Sequence, residues 1–225
     1  MKYEIIGSSS KGNCIVVEDI LMLDCGVTYT KIKPYLKKVK LIFISHIHKD
    51  HLLPTTIQKI AYNKPTMKFV TGSKQVVRKL DDLGVNRDNI IYLYNFSWFD
   101  LGIIKLKIEP MHHDAENCGL HFKRNDKKGI YLVDTGNVDN VNAKNYDLYL
   151  IENNYQEEIL NKHIQECENN NQFVYLNRVK NTHLSKSQCD DFLIKNMGDN
   201  STFEYIHKSR FNNTEDGEIE WNMKK

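Results

Sequence analysis

Six consecutive residues, 46–51, constrain this chain more than any other segment. They read His-Ile-His-Lys-Asp-His and directly follow the apolar run at residues 41–44. Such a run predicts a buried strand, so the cluster lies at the C-terminal end of that strand. Imidazole nitrogens and carboxylate oxygens are ligands of zinc and of similar cations such as manganese. Because His46 and His48 point the same way from an extended backbone, while Asp50 and His51 fall on the following turn, one short loop can serve two neighbouring metal ions.

Further ligands are needed from elsewhere, because four residues cannot complete the coordination shells of two ions. Histidine and aspartate also follow three other predicted strands, at His112-His113-Asp114, at Asp134 and at His207. Loops that follow strands cluster at one edge of a sheet, so these side chains are expected to meet the first cluster. Asp134 is the best candidate to bridge two cations, because a buried carboxylate is stable only when such charges neutralise it.

The hydrophobic pattern predicts an α/β protein built from many short strands and a few helices. The strands are predicted at residues 3–6, 14–17, 21–23, 41–44, 68–70, 90–94, 103–108, 119–122, 129–133, 148–151, 173–176 and 203–206. The helices are predicted at residues 55–62, 73–83, 155–168 and 185–196, with Ser73 and Ser185 as N-caps and Gly84 and Gly198 at the C-terminal ends. This order favours two sheets packed face to face with helices outside. With no linker or repeat in the sequence, residues 1–225 are expected to form a single domain.

Charge and composition limit the partners of the chain. The 31 basic and 29 acidic residues give a net charge of +2, and no basic stripe dominates, which argues against a protein that grips a long duplex. The five cysteines are scattered without a CxxC pair, which is typical of reduced, structural thiols. No apolar run approaches the length of a membrane span and no secretory signal is visible. The expected location is therefore the cytoplasm.

These segments, in this order, resemble the metallo-β-lactamase fold. Residues 46–51 are similar to the signature of that family, and residues 21–26, Leu-Met-Leu-Asp-Cys-Gly, resemble its early strand and Asp-x-Gly turn. Residues 113–115 resemble its third motif and residues 133–136 its fourth. The resemblance covers essentially the whole chain and implies an αββα sandwich of two packed mixed sheets with outer helices.

The resemblance also implies two metal sites that share one carboxylate. The first metal ion would be held by His46, His48, His113 and Asp134. The second would be held by Asp50, His51, Asp134 and His207. His113 is preferred to His112 because Asp-Ala follows it, although the sequence leaves that choice open. The expected cofactor is two zinc ions, with manganese as the alternative.

Two further segments indicate a branch of the fold. Residues 206–211, Ile-His-Lys-Ser-Arg-Phe, resemble the His-x-Ser-Arg-Tyr ending of tRNase Z-like phosphodiesterases. Residues 7–13, 151–154 and 181–185 resemble more closely the YycJ/WalJ group of predicted nucleases, although Tyr155 stands where that group has histidine. Phage anti-Pycsar phosphodiesterases, which destroy cyclic pyrimidine mononucleotides, are close relatives of both groups.

In all of these relatives the chemistry implied is hydrolysis of a phosphodiester. Asp50, His183 and Glu152 are the expected catalytic residues, with His183 protonating the leaving oxygen or gripping the phosphate while Glu152 orients it. A simpler interpretation of His183 is a cap of the helix that follows. Ser209 and Arg210 are expected to bind the substrate, with a plain surface role as the alternative.

Three functions stay open at this stage. The first is a homodimeric hydrolase of small cyclic or short phosphodiesters, with cyclic CMP and cyclic UMP as the named substrates. In it, Tyr155, Trp98 or Phe211 would stack on the base; the alternative for these aromatic residues is packing in the core. The second is a YycJ-like nuclease that trims DNA or RNA; nucleic acid is the less favoured partner, because the chain has no tRNA-binding arm and a nearly balanced charge. The third is a metal-binding module without catalysis.

Overall fold

The computed structural model describes residues 1–94, 97–170 and 176–209. The strands in these ranges are β1 (Tyr3–Gly7), β2 (Cys14–Val17), β3 (Leu21–Leu23), β4 (Leu41–Phe43), β5 (Lys68–Thr71), β6 (Ile90–Tyr92), β7 (Phe99–Asp100), β8 (Lys105–Met111), β9 (Asn117–Arg124), β10 (Lys127–Leu132), β11 (Leu148–Glu152) and β12 (Thr202–Ile206). The α-helices are α1 (Tyr29–Ile32), α2 (Pro54–Asn63), α3 (Lys74–Asp82), α4 (Glu157–Asn169), α5 (Asn177–Thr182) and α6 (Lys186–Asn196). Single 3-10 turns lie at Tyr35–Lys37 and Arg87–Asn89.

The strands form two mixed sheets. The first has the order β1-β2-β3-β4-β5-β6, antiparallel as far as β3 and parallel from there on. The second has the order β12-β11-β10-β9-β8-β7, parallel from β12 to β10 and antiparallel beyond. Helices α2 and α3 connect the parallel strands of the first sheet, as parallel pairing requires. The predicted αββα sandwich of two packed mixed sheets with outer helices is confirmed.

Strands β3 and β4 are apolar throughout because both of their faces are covered. Leu23 and Phe43 face the second sheet, and Phe43 meets the ring of Tyr131 edge-on with the centroids 6.3 Å apart. Met22 and Ile42 face the other way and pack with the buried side chains of helices α2 and α3. A corresponding layer lies outside the second sheet, where Phe192, Leu193 and Cys189 of α6 pack on β10 and β11.

The helix caps are those predicted from the sequence, whereas several strand and helix boundaries differ from the predicted ones. Ser73 accepts a hydrogen bond from the backbone N–H of Val76, and Ser185 forms a capping box with Gln188. Helix α4 begins at Glu157 rather than at residue 155, since Tyr155 forms a β-bridge with Ser185. The predicted strand at 173–176 falls mostly on residues outside the described ranges, and Leu176 lies in the turn before α5.

Strand β8 shows why one boundary was predicted wrongly. It spans Lys105–Met111, so it runs past Pro110, where the prediction had it end at residue 108. Pro110 is tolerated because β7 pairs with β8 only at residues 105 and 106, which leaves the proline on a free edge where no N–H is needed. The strand therefore extends to the metal-ligand candidates that follow it.

No helix in the described ranges is both long and apolar enough to span a membrane. A single domain over residues 1–225 stays a prediction.

Candidate metal centre

The candidate ligands meet at one edge of the sandwich, just beyond the C-terminal ends of five strands. These strands are β4, β8, β10, β11 and β12. Potential ligand atoms lie within 4.8 Å of one another in three groups: His46, His48, His113 and Asp134; Asp50, His51, Asp134 and His207; and Asp134, Glu152, His183 and His207. The first two groups are the two ligand sets implied by the resemblance, and Asp134 belongs to both. Of the adjacent pair, His113 lies in the first group, whereas His112 is exposed and lines a different surface cavity.

The tautomer of His46 follows from its neighbours. The hydroxyl of Ser45 donates to Asp24 Oδ2 at 2.9 Å, so its oxygen must accept the hydrogen of His46 Nδ1, 3.0 Å away. A neutral His46 therefore carries its lone pair on Nε2. That nitrogen is fully buried and has no hydrogen-bond partner in the described part of the chain. An unpartnered buried lone pair is costly unless a cation binds it.

The other buried histidines are oriented in the same way. His51 Nδ1 donates to Asp24 Oδ2 at 2.6 Å, and His113 Nδ1 donates to the carbonyl of Thr182 at 3.0 Å. His207 Nδ1 lies 2.9 Å from Glu152 Oε1. In each case a protein oxygen accepts the Nδ1 hydrogen, which fixes the ring and leaves Nε2 as the ligand atom. Such a partner on the second nitrogen is typical of metal-binding histidines.

Contacts between acceptors also fit bound cations. His51 Nε2 lies 2.8 Å from Asp134 Oδ2 and 3.2 Å from Asp50 Oδ2, although none of these atoms holds a hydrogen when the imidazole is neutral. Asp134 Oδ1 is buried and accepts no hydrogen bond from a described residue. Lone pairs this close repel one another unless a positive charge lies between them. The donor set, two groups of nitrogen and oxygen atoms sharing one carboxylate, therefore fits two zinc-like ions.

The pKa values of the histidines divide the site into two parts. Burial holds the pKa of His46 well below its ordinary value and also lowers the pKa of His48 and of His113. These rings are therefore neutral, which is the form that binds a metal ion.

The second group behaves differently because carboxylates surround it. Burial acts to lower the pKa of His51 and of His207, but Asp134 and neighbouring carboxylates outweigh it. They raise the pKa of His51 well above its ordinary value and the pKa of His207 to about 9. Burial likewise acts to raise the pKa of Asp134, but the facing imidazoles hold it well below the ordinary range. This part of the site favours a positive charge, which a metal ion supplies when it is bound.

Glu152 and His183 form a pair beside the second group. Glu152 is fully buried, and its Oε1 lies 2.6 Å from His183 Nδ1, while its Oε2 accepts the backbone N–H of Thr135 at 3.1 Å. Burial acts to lower the pKa of His183, but Glu152 and Asp134 outweigh it and raise that pKa to about 10. His183 is not the cap of α6, since Ser185 is. With this raised pKa, His183 stays protonated at neutral pH and can act as a hydrogen-bond donor at the side of the candidate centre.

Three residues at this edge have left-handed backbone conformations. The φ angles are 57° at Asp24, 49° at Asp134 and 52° at His207. Non-glycine residues seldom adopt this conformation, and Asp and His are among those that tolerate it best. Asp24 and His207 directly follow a strand and Asp134 comes two residues after one, so each turn redirects the side chain from the strand end towards the site. Such strain is typical of functional sites.

An open cavity of about 510 Å³ lies over these groups. Its lining comprises Ser10, His48, Asp50, His113, Asp134, Asn154, Arg178, Val179, His183, His207 and Ser209. The volume lies within the ~300–1,000 Å³ of small-molecule sites. Ser209 Oγ donates to the carbonyl of Asn154 at 2.7 Å, so the hydrogen of this hydroxyl is already engaged. Arg178, on the rim, forms an ion pair with Asp114.

Two predicted site residues lie outside the part of the chain that the structure describes. Several other residues contribute to the site although the sequence did not predict them. Arg210 and Phe211 lie outside the described residues. Tyr155 is buried, which leaves no face for stacking, and Trp98 does not line the cavity. The residues that sequence reasoning missed are Asn13, Asp24, Ser45, Asn154 and Arg178. Of these, Asn13, Asp24 and Asn154 carried a signal, because each lies in a segment that resembles a family motif, and Asp24 is also an acidic residue that directly follows an apolar strand.

Comparisons with known proteins agree with the fold. No protein-family model matches the chain. The cytidine monophosphate-N-acetylneuraminic acid hydroxylase of Asterias rubens is 30% identical over 113 residues, which span 48% of this chain and 17% of that protein. The metallo-β-lactamase fold protein YhfI of Bacillus subtilis superposes with a TM-score of 0.58 and 17% identity over 69% of this chain and 73% of its own.

Two further solved structures cover more of the chain. Human tRNase Z, short form, superposes with a TM-score of 0.65 and 15% identity over 93% of each chain. A diphosphatase of the PhnP family superposes with a TM-score of 0.62 and 12% identity over 93% of this chain and 86% of its own. At such identities the likeness establishes the fold, and the molecule has the metallo-β-lactamase fold.

Proposed function

We propose that this chain is a metal-dependent hydrolase of phosphodiesters with a dinuclear centre. The observation that carries the proposal is that two groups of ligand atoms share Asp134 beneath an open cavity. The first metal ion would be held by His46, His48, His113 and Asp134, and the second by Asp50, His51, Asp134 and His207. Zinc is the cation these donors suit best, with manganese as the alternative. The fold neighbours include a tRNase Z and a diphosphatase, whose names point to phosphate chemistry.

The residues of the chain divide the chemistry among them. Cations at such a centre activate water and neutralise charge on the phosphate. Asp50 lines the cavity and would help to hold the second ion; the side-chain amide of Asn13 donates to its Oδ2 at 3.2 Å. His183 lies at the side of the cavity, so it protonates the leaving oxygen or holds a phosphate oxygen. Glu152 keeps the His183 ring in place by accepting its Nδ1 hydrogen, so the proton that His183 gives to the leaving oxygen is the one on Nε2.

The substrate we propose is a small cyclic or short phosphodiester, to be tested first with cyclic mononucleotides such as cyclic CMP and cyclic UMP. The size of the cavity supports this choice, as does the balanced charge of the chain. Hydrolysis of such a signal would let a phage evade a nucleotide-based defence in the cytoplasm of its host. A homodimer is the oligomeric state that the sequence resemblance favours.

A nuclease acting on short DNA or RNA is the second candidate, and one observation favours it. A lysine-lined cavity adjoins the candidate centre, and a cyclic mononucleotide has no second phosphate to place there. A metal-binding module without catalysis is the third, and it predicts metal uptake with no turnover.

A hydrolysis panel tests the proposal. Zinc-loaded and manganese-loaded protein would be given the four cyclic mononucleotides, single-stranded DNA and RNA, and the generic diester bis(p-nitrophenyl) phosphate. His48→Ala serves as the control, because it removes a ligand candidate from the cavity wall while leaving the buried network intact. We expect diester hydrolysis that His48→Ala abolishes. Two bound metal ions without hydrolysis of any diester would overturn the proposal and leave the non-catalytic module.

A further inference from the structure

A second cavity lies next to the candidate metal centre. Its volume is about 610 Å³, and it lies between the loop at residues 7–12, the turn at residues 26–28 and the end of the segment at residues 49–53. Three lysines line it, Lys11, Lys31 and Lys49, and we call it the lysine pocket. Ser10 and Asp50 line both this pocket and the cavity over the metal groups, so the two spaces adjoin.

The charge of the lysine pocket is unbalanced. Several other lysines form ion pairs, such as Lys2 with Asp19 and Lys105 with Asp100. Lys11, Lys31 and Lys49 are exposed, and no ion pair joins any of them to another described residue.

Among the residues that the structure describes, Asp50 is the one acidic side chain in the lining of the lysine pocket. Its Oδ2 is directed to the candidate centre, where it lies 3.2 Å from His51 Nε2 and 3.3 Å from His207 Nε2. It therefore does not neutralise the lysines. A concave surface with several cations and no counter-charge attracts an anion.

The lysine pocket is also held in a fixed position relative to the metal groups. The backbone N–H of Asn13 donates to the carbonyl of Asp50 at 2.7 Å, and the hydroxyl of Ser8 accepts the backbone N–H of His207 at 2.7 Å. Gly26 lies so close to this junction that a Cβ there would be 1.7 Å from the Asp50 carbonyl oxygen. The loop that carries Lys11 is thus tied to two candidate ligands. An anion in the pocket would therefore sit at a set distance from the reacting phosphate.

We propose that the lysine pocket binds a second phosphate group of the substrate, on a nucleotide that adjoins the phosphodiester held over the metal centre. This inference rests on the proposed phosphodiester hydrolysis and names its substrate class. Among the small cyclic and short phosphodiesters proposed above, the pocket favours a short nucleotide chain with at least two phosphates, because a cyclic mononucleotide leaves the pocket unused. Lysine ammonium groups bind phosphate as point charges and form charge-assisted hydrogen bonds to it.

The test compares matched dinucleotides on the metal-loaded protein. Thymidylyl-thymidine has only the central diester, and the same compound with a 5′- or a 3′-terminal phosphate supplies the second anion on either side. We expect one phosphorylated form to be hydrolysed with a kcat/KM about tenfold higher than the unphosphorylated form, mainly through a lower KM. Lys31→Ala and Lys11→Ala should lower this ratio towards one. Lys33→Ala is the matched control, since Lys33 is exposed on the same segment and does not line the pocket, and it should leave the ratio unchanged.

A binding measurement separates this inference from the proposed function. Fluorescence anisotropy of a labelled, phosphorylated dinucleotide with chelator-treated protein reports the lysine pocket without catalysis. We expect Lys31→Ala to raise Kd several-fold and Lys33→Ala to leave it unchanged. Equal kcat/KM values for all three dinucleotides, with bis(p-nitrophenyl) phosphate hydrolysed, would overturn the inference and leave the proposed function standing. Failure to hydrolyse any diester would overturn the proposed function, and the anisotropy result would then decide whether the pocket binds phosphate.

Discussion

Glu152 Oε1 lies 2.6 Å from His183 Nδ1, and these two side chains come from segments 31 residues apart in the chain. The same oxygen lies 2.9 Å from His207 Nδ1, and the His183 and His207 rings stack with their centroids 5.6 Å apart. One buried carboxylate thus orients a candidate metal ligand and a candidate acid. Because His207 is the candidate ligand and His183 the candidate acid, loss of His207 should lower metal content whereas loss of His183 should lower turnover.

His183→Ala should lower kcat by about 100-fold, because general acids contribute roughly 10²–10⁴-fold to rate. Metal content should stay at two ions per chain, since His183 lies beside the ligand groups and completes neither of the first two. Steady-state kinetics with elemental analysis of the same sample provides both values. Loss of metal from the His183→Ala protein would show that His183 is a ligand and that its assigned role is wrong.

Glu152→Gln should reduce kcat more than it changes KM, because the amide keeps the shape but removes the charge that fixes the His183 tautomer. The same change weakens the hold on His207, so we expect metal affinity to fall about 10- to 100-fold, as when partners of metal-bound histidines are lost. Chelator competition measures the affinity and kinetics at saturating metal measures kcat. A variant with unchanged kcat at full metal occupancy would contradict the positioning role of Glu152.

Asp24→Asn should weaken metal binding although Asp24 neither lines the cavity nor belongs to a group of candidate ligands. Its carboxylate is fully buried and accepts hydrogen bonds from His51, Ser45 and Tyr131. In the variant, an amide NH₂ group takes the place of Oδ2, so a donor faces the N–H at His51 Nδ1 where an acceptor stood. The hydrogen on Nδ1 then has no acceptor, and the ring loses its fixed tautomer. We expect metal affinity to fall about 10- to 100-fold.

Two variants control for Asp24→Asn. Tyr131→Phe removes one hydrogen bond to the same carboxylate and should cost about 1 kcal/mol of stability with little loss of metal affinity. Asp19→Asn changes an exposed aspartate that pairs with Lys2 and should alter neither property. Equal metal affinity in Asp24→Asn and wild type, by chelator competition, would show that the fold alone orients His51.

The difference between Asp24 and His46 explains how much of this molecule the sequence could reveal. Three histidines and an aspartate within six residues are informative by their density alone, and the caps Ser73 and Ser185 follow local rules. Asp24 acts through contacts with residues 21, 27 and 107 positions away, so its place after an apolar strand signals a role while the local sequence does not show which side chains it orients. Arg178 lies on a helix of six residues, too short for a periodic pattern to predict.

Metal loading should stabilise the folded chain, because the two ligand groups exist only when distant strand ends are together. At a free metal concentration about 1,000 times Kd, each site contributes about 4 kcal/mol. Thermal unfolding should therefore shift to higher temperature with zinc and return after chelation. His48→Ala should lose part of the shift, since the group around Asp50 and His207 remains. An unfolding temperature that does not depend on metal would be inconsistent with either ion being held by these residues.

Arg178→Ala should raise KM by about tenfold and change kcat little. The guanidinium lies on the rim of the cavity, where Asp114 anchors it, and an arginine in that position binds a phosphate oxygen or the face of a base. Arg178→Lys should restore only part of the affinity, because an ammonium cannot reproduce the forked donor geometry. Lys180→Ala is the matched control, since Lys180 is an exposed cation on the same helix that does not line the cavity. If Lys180→Ala raised KM as much as Arg178→Ala, long-range attraction by positive charge would account for the effect, and a direct contact from Arg178 would be ruled out.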